Sequence, residues 1–589
     1  MKNFIKLVLA NIVATFVLGG VFILALIMLI FAYKFFVSDS SSNIAIKENT
    51  ILKLNINEQI IESSTEIVPN IHNFLDDKNI KLSSLLMAIE TAKNDEKIKG
   101  ISIETDNISA GYTQLDDIRK ALEDFKKSGK FVYAYGNNIS QSSYYLSSVA
   151  DRYYLHPAGG IELKGLNAEI LFLKDFLDKY GIGVDVIRYG KFKAAVEPFI
   201  SNKISKENET QLSYMLGDIW KNISNKIEKS RNISKKESKK IVDSLYGVIP
   251  KFALENKLID GLLQKLEYDN ILKNKINISE NNEPNYMSIK KYITYIEKNA
   301  KSPIQENKIA VLYASGEIYS GKGSGGIYSE DFIKEIRKIS ENNDIKAVVL
   351  RVNSPGGSAN ASDEILFELR ELKNKKPLVV SFGDYAASGG YYISMAGDKI
   401  FCEANTITGS IGVFGLAVNL KELANKNGIR TDVVSTNANS NMYSISSGFS
   451  SGTKDILQKS VDMSYKRFVY FVSENRQKTF EEIDNIGQGR VWSGIRAKEI
   501  GLVDEIGSLQ DAIKYASELS KTKDFSIIEY PKNKKPIEML LESLSEDNLA
   551  TKAIEKKLGK ESSQLLKVMS RYNNVWDTRM EMPFTLKIR

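Results

Sequence analysis

The residues best suited to chemistry lie in three glycine-rich stretches of the second half of the chain and one lysine-bearing stretch of the first. Gly383-Asp384-Tyr385-Ala386-Ala387-Ser388-Gly389-Gly390-Tyr391-Tyr392 sets one serine among small residues, after an apolar strand and before an aromatic helix. Such a turn can hold a hydroxyl at a helix N-terminus with backbone N–H groups beside it. It is not a Gly-x-Ser-x-Gly elbow, because Ala386 stands where the first glycine would, and it lacks the Gly-Lys-Ser/Thr ending of a phosphate loop. The residues leave two readings of Ser388, a nucleophile or a serine capping a closely packed helix. Arg351-Val352-Asn353-Ser354-Pro355-Gly356-Gly357-Ser358 runs a strand into a turn whose glycines can leave amides unpaired. Amides so held can receive a phosphate or the oxyanion of a carbonyl addition. Thr408-Gly409-Ser410-Ile411-Gly412-Val413-Phe414-Gly415 adds close backbone approach and a second small hydroxyl.

A serine nucleophile needs a proton acceptor. The chain has two histidines, His72 and His156, neither in a stretch built for chemistry; His156 follows a strand and reads as structural. Its one cysteine, Cys402, excludes an intrachain disulfide and a zinc-thiolate cluster, and no motif calls for a metal or cofactor. A lysine can act as base when desolvation favours its neutral form. Arg188-Tyr189-Gly190-Lys191-Phe192-Lys193-Ala194-Ala195-Val196-Glu197-Pro198-Phe199 offers Lys193 among apolar neighbours. By its own spacing, Lys193 is either such a base or a solvated surface lysine.

These stretches are carried by a chain that repeats itself. Residues 98–185 and 345–432 align without a gap at an offset of 247: Tyr144-Tyr145 answers Tyr391-Tyr392, and Gly165 answers Gly412. The copies differ where the chemistry would be. Gln141 answers Ser388, Asp106 to Ala110 lacks the Pro-Gly-Gly turn, and Lys193 falls opposite Ser440, outside the repeat. Each copy orders its apolar strands and amphipathic helices alternately, which predicts parallel βαβ units and two α/β domains. Residues 203–240, rich in charge, read as exposed helices, and 263–300, rich in Asn and Lys, as a passage between the halves.

A length of 589 residues exceeds one core, and 43% apolar with 26% charged residues is ordinary for a folded chain. The net charge of +7 is dispersed among acids, which excludes a nucleic-acid stripe and weakly favours an anionic membrane surface. From Leu7 to Tyr33 there is no charged residue, enough helix to span about 40 Å and cross a bilayer. The run is too long for a cleaved signal, and Lys2 and Lys6 before it predict a cytoplasmic N-terminus with the body outside.

Taken together, Tyr189 to Phe199, Asn353 to Gly357, Asp384 to Tyr391 and Thr408 to Gly412 resemble the signal peptide peptidase A (protease IV) family in its long, membrane-anchored form. The resemblance runs from the anchor to about residue 530 and implies a ClpP/crotonase-like α/β fold. It implies a serine endopeptidase with Ser388 as nucleophile, Lys193 as general base, Ser410 orienting the lysine, and the N–H groups of Gly357 and Gly389 as oxyanion hole. It further implies a homotetramer on the outer face of the bacterial inner membrane that degrades residual signal peptides and other unfolded apolar peptides. The expected division is an anchor and linker at 1–45 and domains at 46–300 (lysine) and 301–540 (serine). The tail at 541–589 has no legible role. A crotonase-type acyl-CoA enzyme and a non-enzymatic membrane scaffold are the rival classes.

Overall fold

The computed structural model describes residues 14–15, 18–19, 45–63, 79–278, 284–299, 305–532 and 578–582. The apolar run Leu7–Tyr33 lies outside these but for four residues, and among the described residues no helix is long and apolar enough to cross a membrane.

In the first half the order is β1 (Thr50–Leu54), β2 (Ile98–Ile103), α1 (Tyr112–Lys126), β3 (Phe131–Ile139), α2 (Gln141–Ser147), β4 (Arg152–Ile161), β5 (Gly183–Tyr189), α3 (Lys206–Arg231), β6 (Gly261–Leu262) and β7 (Asn285–Ser288). Six of these strands form an all-parallel sheet in the order β6-β4-β3-β2-β1-β7. The second half continues with β8 (Lys308–Ser315), β9 (Ile318–Tyr319), β10 (Ile327–Tyr328), β11 (Ile345–Ser354), β12 (Gly356–Ser358), α4 (Ala359–Lys373), β13 (Leu378–Ala387), α5 (Gly389–Ile393), β14 (Ile407–Gly409), β15 (Val413–Asn419), β16 (Val491–Ser493), β17 (Ser526–Tyr530) and β18 (Arg579–Glu581). Its main sheet runs β16-β14-β13-β11-β8-β17.

The repeat is visible in the element boundaries, since β2, α1 and β3 begin 247 residues before β11, α4 and β13. Strands buried on both faces, such as β11 with Ala347 to Val352 inaccessible, read as continuous apolar runs because helices cover the sheet on either side. Helix α1 buries Leu115, Ile118, Leu122 and Phe125, and α4 buries Ile365, Leu369 and Leu372, each at helical spacing.

Two stretches depart from the sequence reading. Helix α3, expected to be exposed, buries Met215, Ile219, Ile223 and Ile227, a four-residue stripe that its many charges mask. The supposed passage at 263–300 belongs to the first sheet: β7 pairs with β1, and the helix after it buries Ile289, Tyr292, Ile293 and Ile296. That helix is only 11 residues long, too short for its periodicity to stand out among lysines.

The halves are joined by a third sheet, ordered β10-β9-β12-β18-β15-β5, in which β5 of the first half pairs antiparallel with β15 from Val413↔Tyr189 to Asn419↔Gly183. This joint breaks the repeat. The counterparts of β5 and β15 at the 247 offset, residues 430–436 and 166–172, form no strand.

Buried polar contacts lock the same interface. Arg351 on β11 is fully buried and its Nε and Nη2 each lie 3.0 Å from a carboxylate oxygen of Glu62, which is also buried. Arg351 also donates to Ser381 Oγ and to the Phe382 carbonyl. Asp384 accepts from Thr113 N (3.0 Å) and Thr113 Oγ1 (2.8 Å), so an acid of the second half caps α1 of the first. Glu62→Ala would strand a guanidinium without its carboxylate. The expected loss is about 3–5 kcal/mol in chemical denaturation, largely rescued by a concurrent Arg351→Met.

Candidate active site

Strand β13 ends at Ala387, and the next residue turns the chain sharply, with Ser388 at φ +56° and ψ −113°. A non-glycine residue held there costs about 1–3 kcal/mol and persists only where its surroundings over-determine it. Ser388 N donates to Gly409 O, fixing the turn against β14. Its side chain makes no capping hydrogen bond to α5, so the capping alternative is not what this serine does. Gly389 and Gly390 are required by close approach: a Cβ on the first would lie 2.7 Å from Ser362 Oγ, and on the second 2.7 Å from Ser354 O.

Lys193 reaches the serine from the other half. Beyond β5 the chain turns at Gly190 (φ +106°), where a Cβ would meet the Gln488 backbone at 2.6 Å. Phe192 N donates to Gln488 O, and the Gln211 amide bridges Phe192 O and Val491 N at 3.0 and 3.1 Å. The Lys193 side chain is fully buried, and its neighbours Ala195 and Val196 join Phe414 and Leu416 of β15 in one apolar cluster. Its Nζ lies 2.8 Å from Ser388 Oγ, 3.0 Å from Ser410 Oγ and 3.2 Å from Ser410 O. Burial brings its pKa down from 10.5 to about 7, partly opposed by the carboxylate of Glu581. The amine is therefore poised to accept a proton near neutral pH. Of the two readings of this lysine, the solvated one fails.

The sequence did not reveal what covers Lys193. Gly489 (φ +80°) packs its backbone against the lysine, and a Cβ there would sit 2.6 Å from Lys193 N. A Cβ on Gly412 would lie 3.2 Å from Lys193 Cδ. A glycine at 489 carries no signal of its own in Gly487-Gln488-Gly489. Gly489→Ala is expected to displace the lysine and lower kcat/KM by about 10²-fold, a steady-state measurement to be paired with a circular-dichroism check of fold.

The Pro-Gly-Gly turn lies directly across from the serine. Gly356 has φ +103°, and a Cβ on it would be 2.8 Å from Gly389 N, so the Gly357 and Gly389 segments converge. The first copy keeps a cavity at the equivalent place, lined by Ile108 to Tyr112 and Ser140 to Ser142, but fills the serine's position with an amide. Gln141 accepts from Lys164 N and Gly165 N and donates to Gly165 O and Tyr112 Oη, closing the loop that answers Ser410–Gly412. Asp106 and its counterpart Asn353 keep one shared job, accepting from the backbone of Asn138 and Tyr385 respectively. His156, on β4, is half-buried and hydrogen-bonded to Gln264 Oε1. Cys402 is buried, and desolvation pushes its thiol well up.

A buried amine within hydrogen-bond reach of a strained serine hydroxyl is the constellation of an acyl-transfer site. The model of peptidase family S49 matches residues 124–278 and 370–523, and the Clp protease model matches residues 301–408. The chain belongs to peptidase family S49. This S49 chain is 36% identical to Protease 4 of Salmonella typhi, over 79% of its own length and 76% of the relative's. It is 34% identical to Protease 4 of Haemophilus influenzae over 86% of both chains, and 30% identical to the chloroplastic serine protease SPPA of Arabidopsis thaliana, over 72% of this chain and 64% of the plant protein. The protein is accordingly a serine endopeptidase, built from two α/β domains of the S49 and Clp-protease kind. An acyl-CoA enzyme and a non-catalytic scaffold fall away as readings of the whole.

Proposed function

We propose that Ser388 is the nucleophile and Lys193 the general base of this endopeptidase, with Ser410 orienting the amine and the N–H groups of Gly357 and Gly389 receiving the oxyanion. The 2.8 Å separation of Lys193 Nζ and Ser388 Oγ carries the reading. Neutral Lys193 takes the hydroxyl proton as Ser388 attacks the scissile carbonyl, and the ammonium returns it to the leaving nitrogen. Water then opens the ester, with Lys193 again accepting the proton. A fluorophosphonate probe should add once per chain, at Ser388 by peptide mapping, and much more slowly in Lys193→Ala. An adduct on another residue, or retained turnover in Ser388→Ala, would remove the dyad.

The substrates on this reading are unfolded apolar peptides, residual signal peptides among them. The uncharged run Leu7–Tyr33 serves as a single-pass anchor in the bacterial inner membrane, with the N-terminus cytoplasmic and the body extracytoplasmic. The domains divide at residues 46–300 and 301–540.

A homotetramer has support in the broken repeat. Residues 166–172 and 430–436 answer the strands of the β5–β15 joint, are unpaired in the single chain, and include exposed Leu171 and Val434. Pairing 166–172 of one chain with 430–436 of the next would reuse that joint between chains, a head-to-tail contact of the kind that builds a ring where its rotation closes. Val434→Pro is expected to dissociate the assembly in light scattering.

A further inference from the structure

The two copies differ in what lies beside their glycine turn and its counterpart. In the second copy β12 and β15 stand one strand apart, and β18 lies between them, pairing antiparallel with β12 and bridging Arg579 to Phe414. At the 247 offset the same two flanks are residues 109–111 and 166–172 of the first copy. Ser109 keeps the outer contact: Ile60 N donates to its carbonyl, much as β9 meets β12 at Ile318↔Gly357. On the inner side no strand lies among the described residues. Gly356–Ser358 are therefore buried, whereas Ser109 is exposed and Ala110 and Gly111 are half-buried. A backbone edge left open beside a cleft is where an extended peptide can add itself as a strand.

The cleft has the size and lining for one. A cavity of about 1240 Å³ opens beside these residues, walled on its apolar side by Ile60, Ile108, Ile139 and Ile161. Three of its lining residues carry charge, and each is engaged. Lys164 Nζ pairs with Glu162 at 2.5 Å, and Asp384 caps α1 through Thr113. A wall without a free charge suits an uncharged, apolar chain and offers little to an ionic ligand. Gln141 stands where the nucleophile would, so a chain held here is not cut.

The two clefts also share a wall. Asp384 and Tyr385 of β13 line the first-copy cavity, and Ser388 follows four residues after Asp384, no more than about 13 Å along the chain. We propose that the first-copy cleft is a second, non-hydrolytic site, which holds a distal stretch of a long unfolded apolar peptide while another stretch is cut at Ser388. The holding site stands on the open edge and the cavity; only the cutting rests on the Ser388–Lys193 reading. A peptide engaged at one cleft meets the other at the high effective concentration of a tether, a gain that short peptides lack. The ring contact proposed above pairs 166–172 on their far side and leaves this slot open, as β15 lies between β18 and β5.

Peptide length and photolabelling test this. A fluorogenic heptapeptide is compared with two longer forms, extended at one end or the other by about fifteen uncharged, mostly apolar residues. At least one long form should show a KM lower by about tenfold or more. Ala110→Trp, which fills the slot, should bring the ratio of kcat/KM, long over short, to about one. Its turnover of the heptapeptide shows that the variant has folded. In Ser388→Ala, a long peptide carrying benzoylphenylalanine should label residues 107–112, 138–142 or 159–166 on irradiation, a readout that needs no substitution in the slot. Equal KM for all three peptides, a length advantage that survives Ala110→Trp, or adducts confined to the second half would overturn the holding site. First-half labelling that appears only in the Val434→Pro form would assign the slot to a second copy of the chain and overturn it too. If no peptide is hydrolysed and Ser388 takes no probe, the dyad falls, and the photolabelling alone decides the holding site.

Discussion

Lys193→Met is expected to lower kcat/KM for peptide hydrolysis by about 10⁴-fold while making the folded protein more stable. The lysine is fully buried, and its pKa falls from 10.5 to about 7 because burial penalises the ammonium. An unfolded chain holds the same amine near its ordinary value. Below pH 7 both states are protonated, and the folded state bears the whole penalty, of order 4–5 kcal/mol. Between about 7 and 10.5 the unfolded state binds more protons, so this contribution to stability rises with pH and the penalty is gone above that window. Methionine fills a similar volume without a charge. Its advantage in melting temperature should therefore be largest at pH 6 and shrink steadily toward pH 10. A lysine with a merely structural role would show the reverse, lost stability along with lost activity. Ser388→Ala should abolish turnover still more completely, by about 10⁶-fold, because it removes the attacking hydroxyl itself.

The second large effect is on pH. A base must be neutral to accept the serine proton, so kcat/KM should rise tenfold per unit up to a midpoint near pH 7 and then level off. At pH 5 the enzyme should retain about one hundredth of its plateau rate. The profile is measured with a peptide lacking titratable groups. A midpoint at 9 or above would mean that the amine is solvated in the working enzyme.

The turns of the candidate site were legible where one local stretch contains all that its backbone needs. Ala386-Ala387-Ser388-Gly389-Gly390 specifies a tight strand-to-helix turn, because no larger side chain fits against Ser354 and Ser362. Pro355-Gly356-Gly357 does the same for the opposing amides. The 247-residue offset likewise carried the order of strands and helices through both halves, since an ungapped repeat preserves one packing solution. Helix α3 and the 263–300 segment were misjudged because short or charge-rich elements hide their buried stripe.

Residue types and spacing thus settled the family, the two-domain α/β plan and the short set of residues able to do acyl transfer. They could not decide whether Lys193 was a base or a surface charge. The atoms that bury it come from Gly412, Phe414 and Gly489, more than two hundred residues away, and desolvation is a property of the packed surroundings. Nor could they show that β5 would cross to β15, or that Met580 would lie against Gly357, since both are pairings between distant strands. The hydroxyl was written into one turn of the chain. Its partner amine was set by how the halves fold onto each other.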